Sequence, residues 1–162
     1  MIRKLGPAIL SFIIIYISFS LAGFLFPIDQ SWYDQLNKPS WTPTGGTIGL
    51  VWSILFAFIS LSFSYAIFKK GIKNIPKPLW LAFILNYLSN QLFSYFQFTQ
   101  KDLLIASIDC VLVAVTAICT TLLLNKISRL SSLLFVPYSA WSTFATFLSF
   151  TFYTLNPTMT AF

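Results

Sequence analysis

The sequence contains no histidine and no glutamate, and its four acidic residues are all aspartates. A Ser-His-Asp triad, a haem axial histidine and a zinc cluster need residue types that this chain lacks or contains in very small number. The two cysteines, Cys110 and Cys119, are nine residues apart in one apolar run, a spacing that fits neither a metal motif nor a disulfide framework. We interpret both as small packing residues of a helix, and we expect neither a metal nor a cofactor.

Charge is scarce as well. Charged residues make up 9% of the chain, against about 25% in soluble domains, while 57% of the residues are hydrophobic. So few charges cannot cover a water-facing surface, which excludes an ordinary soluble globule. The net charge of +6 comes from ten basic residues in short clusters between apolar runs, a distribution typical of membrane-surface anchors. We expect a membrane protein in contact with lipid, and no nucleic acid as partner.

Five apolar segments are long enough to span about 30 Å of hydrocarbon as helices. Spanning segments must be helical because lipid offers no partner to an exposed backbone group. The sequence therefore predicts one all-α membrane domain over residues 1–162, a five-transmembrane-helix bundle. Its helices are expected at about 5–26, 46–68, 78–98, 102–124 and 132–155, with a long outer loop at 27–45. Pro78 is expected in the first turn of the third helix and Asp102 at the N-cap of the fourth.

The basic residues predict the orientation of the bundle. In a five-helix layout eight of the ten fall on one side, and only Lys38 and Lys101 fall on the other. This asymmetry predicts a multi-pass protein of the cell membrane with a cytoplasmic N-terminus and an outside C-terminus. The eight are Arg3, Lys4, Lys69, Lys70, Lys73, Lys77, Lys126 and Arg129. The alternative for the first segment is a signal peptide ending near Ser20-Leu21-Ala22, although the run is longer than the usual 7–15 residues.

Two tryptophans, Trp52 and Trp141, lie several residues inside their segments, deeper than an interfacial belt. Trp141 shares one helix face with Pro137, Ala145 and Ser149, which recur every four residues. A flat ring beside small residues suits a ligand slot as well as a packing seam. The residues alone leave both interpretations open.

Polar residues recur along one face of the third segment: Asn86, Asn90, Ser94 and Gln97, with Gln91 beside them. They either make hydrogen bonds between helices or point into a cavity; we favour the cavity. Asp109 is the one ionisable side chain deep in a segment, which makes it a candidate for proton-coupled transport, a ligand site or a structural role. Gly45 and Gly49 form a short G-x-x-x-G pattern that favours close helix approach or dimerisation.

Short motifs are spread over nearly the whole chain. They are Trp41-Thr42-Pro43 in the long loop, Gly49 and Trp52 in the second segment, Asn90 with Phe93-Ser94 in the third, and Pro137-Tyr138, Trp141 and Phe144-Ala145 in the fifth. With the five-segment layout, these motifs resemble the TspO/MBR family, the translocator proteins or tryptophan-rich sensory proteins. The pattern P-Y-x-x-W-x-x-F-A is quite specific, and the bacterial branch is the most similar.

The resemblance implies a five-helix bundle, usually a homodimer, with a ligand pocket between the helices that the first loop closes. Implied ligands are tetrapyrroles such as protoporphyrin IX, flat aromatic drug-like compounds and, in animal members, cholesterol. The implied pocket residues are Trp52, Asn86, Asn90, Phe93, Trp141 and Ala145, with Cys110 also assigned to the ligand-binding set. The implied lid residues are Trp32, Tyr33, Trp41 and Pro43.

The chain also departs from the family pattern. Thr44, Phe93 and Ser149 stand where many members have Pro, Trp and Asn, and no basic residue follows Tyr153, so the cholesterol motif is absent. Trp and Phe faces can stack on a porphyrin ring. A metal-free porphyrin suits this chain best, because an iron porphyrin would lack its usual histidine ligand. The leading hypothesis is tetrapyrrole binding for sensing or handling porphyrins. The alternatives are a light-dependent porphyrin-degrading enzyme, in which Trp52 and Trp141 would act photochemically, and a small proton-coupled transporter that uses Asp109.

Overall fold

The computed structural model describes residues 2–158, with side chains from Leu5 onward. The described chain forms six α-helices and no β-strand: α1 (Ile2–Leu25), α2 (Gln30–Gln35), α3 (Gly45–Lys70), α4 (Lys77–Ser94), α5 (Leu103–Asn125) and α6 (Arg129–Leu155). A π-helix, Tyr95–Gln100, continues α4. The side chains of Arg3 and Lys4, used in the orientation prediction, lie outside the described residues, as does the C-terminal end at Phe162.

Four of these helices are long and apolar enough to cross a membrane: α1 from Leu5 onward, α3, α5 and α6. The all-helical membrane class is therefore confirmed. The predicted third span corresponds to α4, which is outside this group because its 18 residues include an inward polar stripe with Asn86, Ser89 and Asn90. The count of five spans stays a prediction.

Local sequence fixes the helix ends close to the predicted boundaries. Asp102 accepts hydrogen bonds from the N–H groups of Leu104 and Ile105, both at 3.0 Å, which confirms it as the N-cap of α5. Pro78 lies in the first turn of α4, as predicted. Thr44 caps α3 through the N–H of Thr47, and Ser128 caps α6 through that of Ser131. A capping oxygen satisfies one of the N–H groups that a helix start leaves unpaired.

The five long helices form a closed ring in the order α1, α3, α6, α5, α4. The seam between α5 and α6 is the most extensive and uses small polar side chains, with Ser107 Oγ 3.0 Å from Ser149 Oγ and Thr121 Oγ1 2.7 Å from Ser139 Oγ. Small residues let helix backbones approach closely in membranes. The contact between α1 and α4 is the sparsest in the ring, and this seam opens sideways as a groove.

We call the end of the bundle at the α3–α4 connection the lysine half, because residues 69–77 contain four lysines. The opposite end, at residues 26–44, is the loop half. The core of the lysine half is aromatic: Phe63 stacks on Phe83 at 3.7 Å between ring centroids and meets the edge of Phe135 at 6.2 Å. Leu79 and Leu124 are fully buried beside them.

The long connection is not a simple loop, because it contains the short helix α2. Asp29 starts α2 by accepting from the N–H of Trp32, and Trp32 packs with Leu36 and Leu103 in a small buried cluster. The sequence prediction missed α2 because six residues give too short a period to recognise. Trp32 and Leu36 thereby pack the connection against Leu103, at the start of α5.

The two cysteines differ in burial, and the two glycines of the G-x-x-x-G pattern face open space. Cys110 is buried, but Cys119 is exposed, so the prediction that both pack inside the bundle is wrong for Cys119, which lies on the outward face of α5. A methyl group added at Gly45 or Gly49 would meet no atom within 4 Å. The G-x-x-x-G pattern therefore mediates no close helix approach within the described chain.

Candidate functional site

A hydrogen-bond network at mid-height joins three helices. The Tyr138 hydroxyl donates to Asn86 Oδ1 at 2.9 Å and accepts from Asn90 Nδ2 at 3.4 Å. Asn86 Nδ2 also donates to the Val113 carbonyl at 2.9 Å and to Thr116 Oγ1 at 3.0 Å. All three side chains of the network are buried. The network links α4 to α5 and α6. Asn86 and Asn90, both predicted pocket residues, therefore make hydrogen bonds between helices.

Other buried polar groups close to this network have no hydrogen-bond partner among the residues that the structure describes. The buried atoms without a hydrogen bond include both amide atoms of Gln91, Oδ2 of Asp109, Nε1 of Trp141 and Oε1 of Gln97. Gln91 directly follows Asn90, Asp109 is four residues before Val113, and Trp141 is three residues after Tyr138. Each of the three therefore lies within about one and a half helical turns of a residue in the network, whereas Gln97 is farther away. The side chain of Asp109 is held by a hydrogen bond with Ser89. Buried polar groups of this kind normally have hydrogen-bond partners in folded proteins, which makes these atoms candidates for contact with a bound molecule.

Aromatic rings surround the same region. Trp52 meets Tyr138 edge to face at 6.1 Å, and Trp141 lies 5.1 Å from Phe144. Phe144 also touches Trp41 of the long connection, at 6.0 Å. The rings of Trp41, Phe144 and Trp141 therefore form a continuous path from the connection toward the interior.

The connection is tied to the bundle at two points. Near its start, Lys101 Nζ lies 2.7 Å from Asp29 Oδ2 and 5.5 Å from the ring centre of Trp32. Near its middle, the N–H of Asn37 donates to Asn156 Oδ1 at 2.8 Å, and Asn156 Nδ2 returns a bond to the Asn37 carbonyl at 2.9 Å. We call these the lysine clamp and the asparagine clamp. They hold the connection over the loop half.

Two side chains in the connection, Asp29 and Tyr33, have shifted pKa values. The Lys101 ammonium, together with hydrogen bonds from Ser31 and the N–H of Trp32, holds the pKa of Asp29 below its usual range. Burial, with a contribution from the Asp34 carboxylate, raises the pKa of the Tyr33 phenol. Asp29 therefore stays ionised in the folded protein, which maintains its ion pair with Lys101.

The predicted site residues fall into two groups. Of the predicted pocket residues, Asn86, Asn90 and Cys110 are buried, and Trp52, Phe93, Trp141 and Ala145 are partly buried. Asn86, Asn90 and Trp52 all contact Tyr138. The lid residues separate: Trp32 is buried at the lysine clamp, Tyr33 is partly buried against Phe152, Pro43 is partly buried, and Trp41 is exposed on the outer face of α6. Two hollows of about 290 Å³ each, between α1 and α4 and between α5 and α6, are lined by other residues.

Sequence reasoning did not assign Tyr138, Ser89 or Phe144 to the site. Tyr138 orders both asparagines, Ser89 holds Asp109, and Phe144 connects Trp41 to Trp141. A signal for Tyr138 exists in the sequence, because a phenol at membrane depth needs a hydrogen-bond partner. Ser89 carries no such signal, since single serines are common in apolar helices.

Comparison with known proteins now decides the family. A sequence profile of the TspO/MBR family matches residues 11–154. The chain belongs to the TspO/MBR family. It is 53% identical over 139 residues to the uncharacterized membrane protein YtaB of Bacillus subtilis, covering 84% of this chain and 87% of that protein.

Two further members show how widely the similarity extends. The tryptophan-rich protein TspO of Bacillus cereus is 48% identical over 149 residues, which is 92% of this chain and 96% of that protein. Protein CrtK of Rhodobacter capsulatus is 31% identical over 128 residues, which is 78% of this chain and 79% of that protein. Family membership and the four long apolar helices together make the chain a multi-pass membrane protein.

Proposed function

We propose that this TspO/MBR protein binds tetrapyrroles, with a metal-free porphyrin of the protoporphyrin type as the preferred class, between its helices in the loop half. The observation that carries the proposal is the set of buried, unpaired polar atoms on Gln91, Asp109 and Trp141 beside the rings of Trp52 and Phe144. An unpaired buried polar atom costs about 1–3 kcal/mol. A ligand that supplies partners recovers that free energy on binding.

The chemistry of these atoms suits a flat disc with a polar edge. The faces of Trp52 and Trp141 offer stacking surface for an aromatic ring. The Gln91 amide can both donate and accept, and the Trp141 indole N–H can donate to a carboxylate or carbonyl. Asp109 Oδ2 offers an acceptor for a ligand N–H. The same set would suit other flat aromatic ligands, which the experiment below includes as competitors.

The proposal includes five membrane spans. With its π-helix, α4 continues over the 18 and six residues of the two elements, about 36 Å, which is enough to cross the hydrocarbon. Its polar residues face the bundle, whereas Leu81, Leu85, Leu88 and Leu92 are exposed, as a lipid-facing surface requires. The lysine half is then cytoplasmic. Reporter fusions at Lys73 and Phe162 should report opposite sides; the same side for both would contradict five spans.

The proposal also includes a homodimer. The exposed side of α3 at the loop end carries Gly45, Gly49 and Ser53 at intervals of four residues, with open space around both glycines. Such small-residue faces favour close packing of helices from two molecules in lipid. Mass measurement in nanodiscs should give two chains, and Gly49→Leu should shift the population to one. A wild-type mass of one chain would contradict the dimer.

Binding is tested by titrating purified protein in nanodiscs with protoporphyrin IX and following tryptophan fluorescence. We expect saturable binding of one porphyrin per chain, weakened by Trp141→Phe and displaced by competing flat aromatic compounds. Trp80→Phe is the matched control, since Trp80 lies in the lysine half beside Phe63. Non-saturable quenching, or equal loss of affinity in both variants, would contradict a site in the loop half.

A further inference from the structure

The groove between α1 and α4 lies apart from the proposed porphyrin site. It has a volume of about 290 Å³ and an almost entirely apolar surface. Its walls include Ser11, Ser18 and Phe19 of α1 and Trp80 and Tyr87 of α4, with Ile72 at one end. The hydroxyl of Ser11 is already bonded to the Pro7 carbonyl at 2.7 Å, so the groove offers few groups to a polar ligand.

The groove reaches from the α3–α4 connection to mid-height. Ile72 lies in that connection, and the residues from Trp80 to Tyr87 cover about 10 Å of α4. A bilayer core is about 30 Å thick, so the groove is confined to one leaflet. Because α1 and α4 make the sparsest contact in the ring, it opens sideways toward lipid.

A cluster of positive charge stands at the mouth of the groove. Lys70, Lys73 and Lys77 are exposed around Ile72 and form no ion pair with a described residue. All four aspartates lie elsewhere: two in the long connection, and Asp102 and Asp109 in the loop half of α5. None of the described acidic groups therefore neutralises this cluster.

We propose that this groove is a binding site for an anionic phospholipid of the same leaflet. One acyl chain fills the apolar groove between α1 and α4, and the phosphate lies against Lys70, Lys73 and Lys77. The charge complementarity selects the occupant, because a basic cluster next to the membrane surface attracts anionic lipid. The inference goes beyond porphyrin binding and uses residues from the other half of the bundle.

Lipid titration followed by native mass spectrometry tests the proposal. The protein is purified in detergent and titrated with phosphatidylglycerol or phosphatidylcholine of identical acyl chains. One variant, K70Q/K73Q/K77Q, removes the charges, and its control is Lys126→Gln, an exposed lysine at the α5–α6 connection. A second variant, Ser18→Phe, fills the groove from α1, and its control is Cys119→Phe, an exposed small residue on the outward face of α5. Thermal unfolding of each variant verifies folding.

We expect wild type to retain one phosphatidylglycerol more tightly than phosphatidylcholine. Each groove lysine contributes roughly fivefold to this preference, so the triple variant should bind both lipids alike, while Lys126→Gln keeps the preference. Ser18→Phe should lose the tight lipid whatever its head group, and Cys119→Phe should keep it. Equal binding by Ser18→Phe and Cys119→Phe, or a preference that Lys126→Gln reduces as much as the triple variant does, would overturn the site. Protoporphyrin titration reads out the other half independently, so either proposal can fail alone.

Discussion

The two halves of the bundle are built differently. In the lysine half, the rings of Phe63, Phe83 and Phe135 fill the interior, and the buried polar atoms without partners are two serine hydroxyls, on Ser64 and Ser131. In the loop half, larger polar groups lack partners: an amide on Gln91, a carboxylate oxygen on Asp109 and the indole N–H of Trp141 at its border. The lysine half is filled by aromatic packing, whereas the loop half contains buried donors and acceptors without hydrogen bonds.

The difference separates stability from binding. Close packing lowers free energy through many small contacts and gains nothing from a ligand. Unpaired polar groups raise the free energy of the empty protein and lower it again when a ligand pairs them. We therefore expect substitutions in the lysine half to change unfolding, and substitutions in the loop half to change affinity.

The largest effect is expected for Phe63→Ala. Removing a fully buried ring typically costs 3–5 kcal/mol. We expect about 3 kcal/mol here, because lipid is as apolar as the core and the loss comes mainly from packing. Unfolding in mixed detergent micelles measures it, with the lipid-facing, 83% exposed Phe24→Ala as control. Porphyrin affinity of the folded fraction should stay unchanged; a parallel loss of affinity would contradict the division into halves.

Tyr138→Phe should affect both properties, since Tyr138 lies at the border between the halves. The variant leaves Asn86 Oδ1 without its donor and Asn90 Nδ2 without its acceptor. We expect a loss of about 1 kcal/mol in unfolding free energy, between the membrane average of 0.6 and the cost of a buried unpaired group. A several-fold loss of porphyrin affinity should accompany it. Affinity at the wild-type level would make this network purely structural.

Trp141→Phe should affect porphyrin binding and leave stability almost unchanged, the opposite of Phe63→Ala. The indole N–H is buried without a partner, so its removal should leave the melting temperature unchanged or slightly higher. Porphyrin affinity should fall several-fold, since an aromatic contact of this kind contributes about 0.5–1.5 kcal/mol. If Trp52 and Trp141 also donate electrons to an excited porphyrin, light-driven porphyrin loss should fall further than affinity does. A lowered melting temperature with unchanged affinity would reverse the assignment and make Trp141 a packing residue.

The smallest effect concerns the lysine clamp. Because the pKa of Asp29 is lowered in the folded protein, its contribution is present above the unfolded value near 3.9 and is lost as pH falls below it. Asp29 and Lys101 are partly exposed, so salt should weaken the clamp too. Lys101→Ala should raise the porphyrin off-rate at pH 7 by about two- to threefold, as expected for an exposed pair.

Stopped-flow dissociation measures the off-rate between pH 7 and pH 3.5. Acid should speed dissociation more in wild type than in Lys101→Ala, because the variant has already lost the clamp. Lys38→Ala is the matched control, since Lys38 pairs with Asp34 at 3.7 Å and lies 4.1 Å from the ring centre of Tyr33, and both partners belong to the same connection. Identical acid responses in wild type and Lys101→Ala would show that the clamp does not hold the connection.

Much of the fold was predictable because it follows from local properties. Asp102 and Pro78 mark helix starts through their own backbone chemistry, and the apolar runs set the helix lengths. The short α2 was missed, and Cys119 was placed inside when it faces outward. Both errors have one physical origin: neither a single turn of helix nor the direction of one side chain leaves a periodic trace in an almost uniformly apolar sequence.

An all-helical membrane protein, with aromatic and polar residues at membrane depth, follows from the amino-acid sequence alone. Which of those polar groups find partners follows from the way the helices pack. Asn86 and Asn90 make hydrogen bonds with Tyr138, while the amide of their neighbour Gln91 has no hydrogen-bond partner among the described residues. Hydropathy belongs to each residue separately, whereas pairing depends on which helix faces which, and that order is set by the packing of all five long helices around the ring.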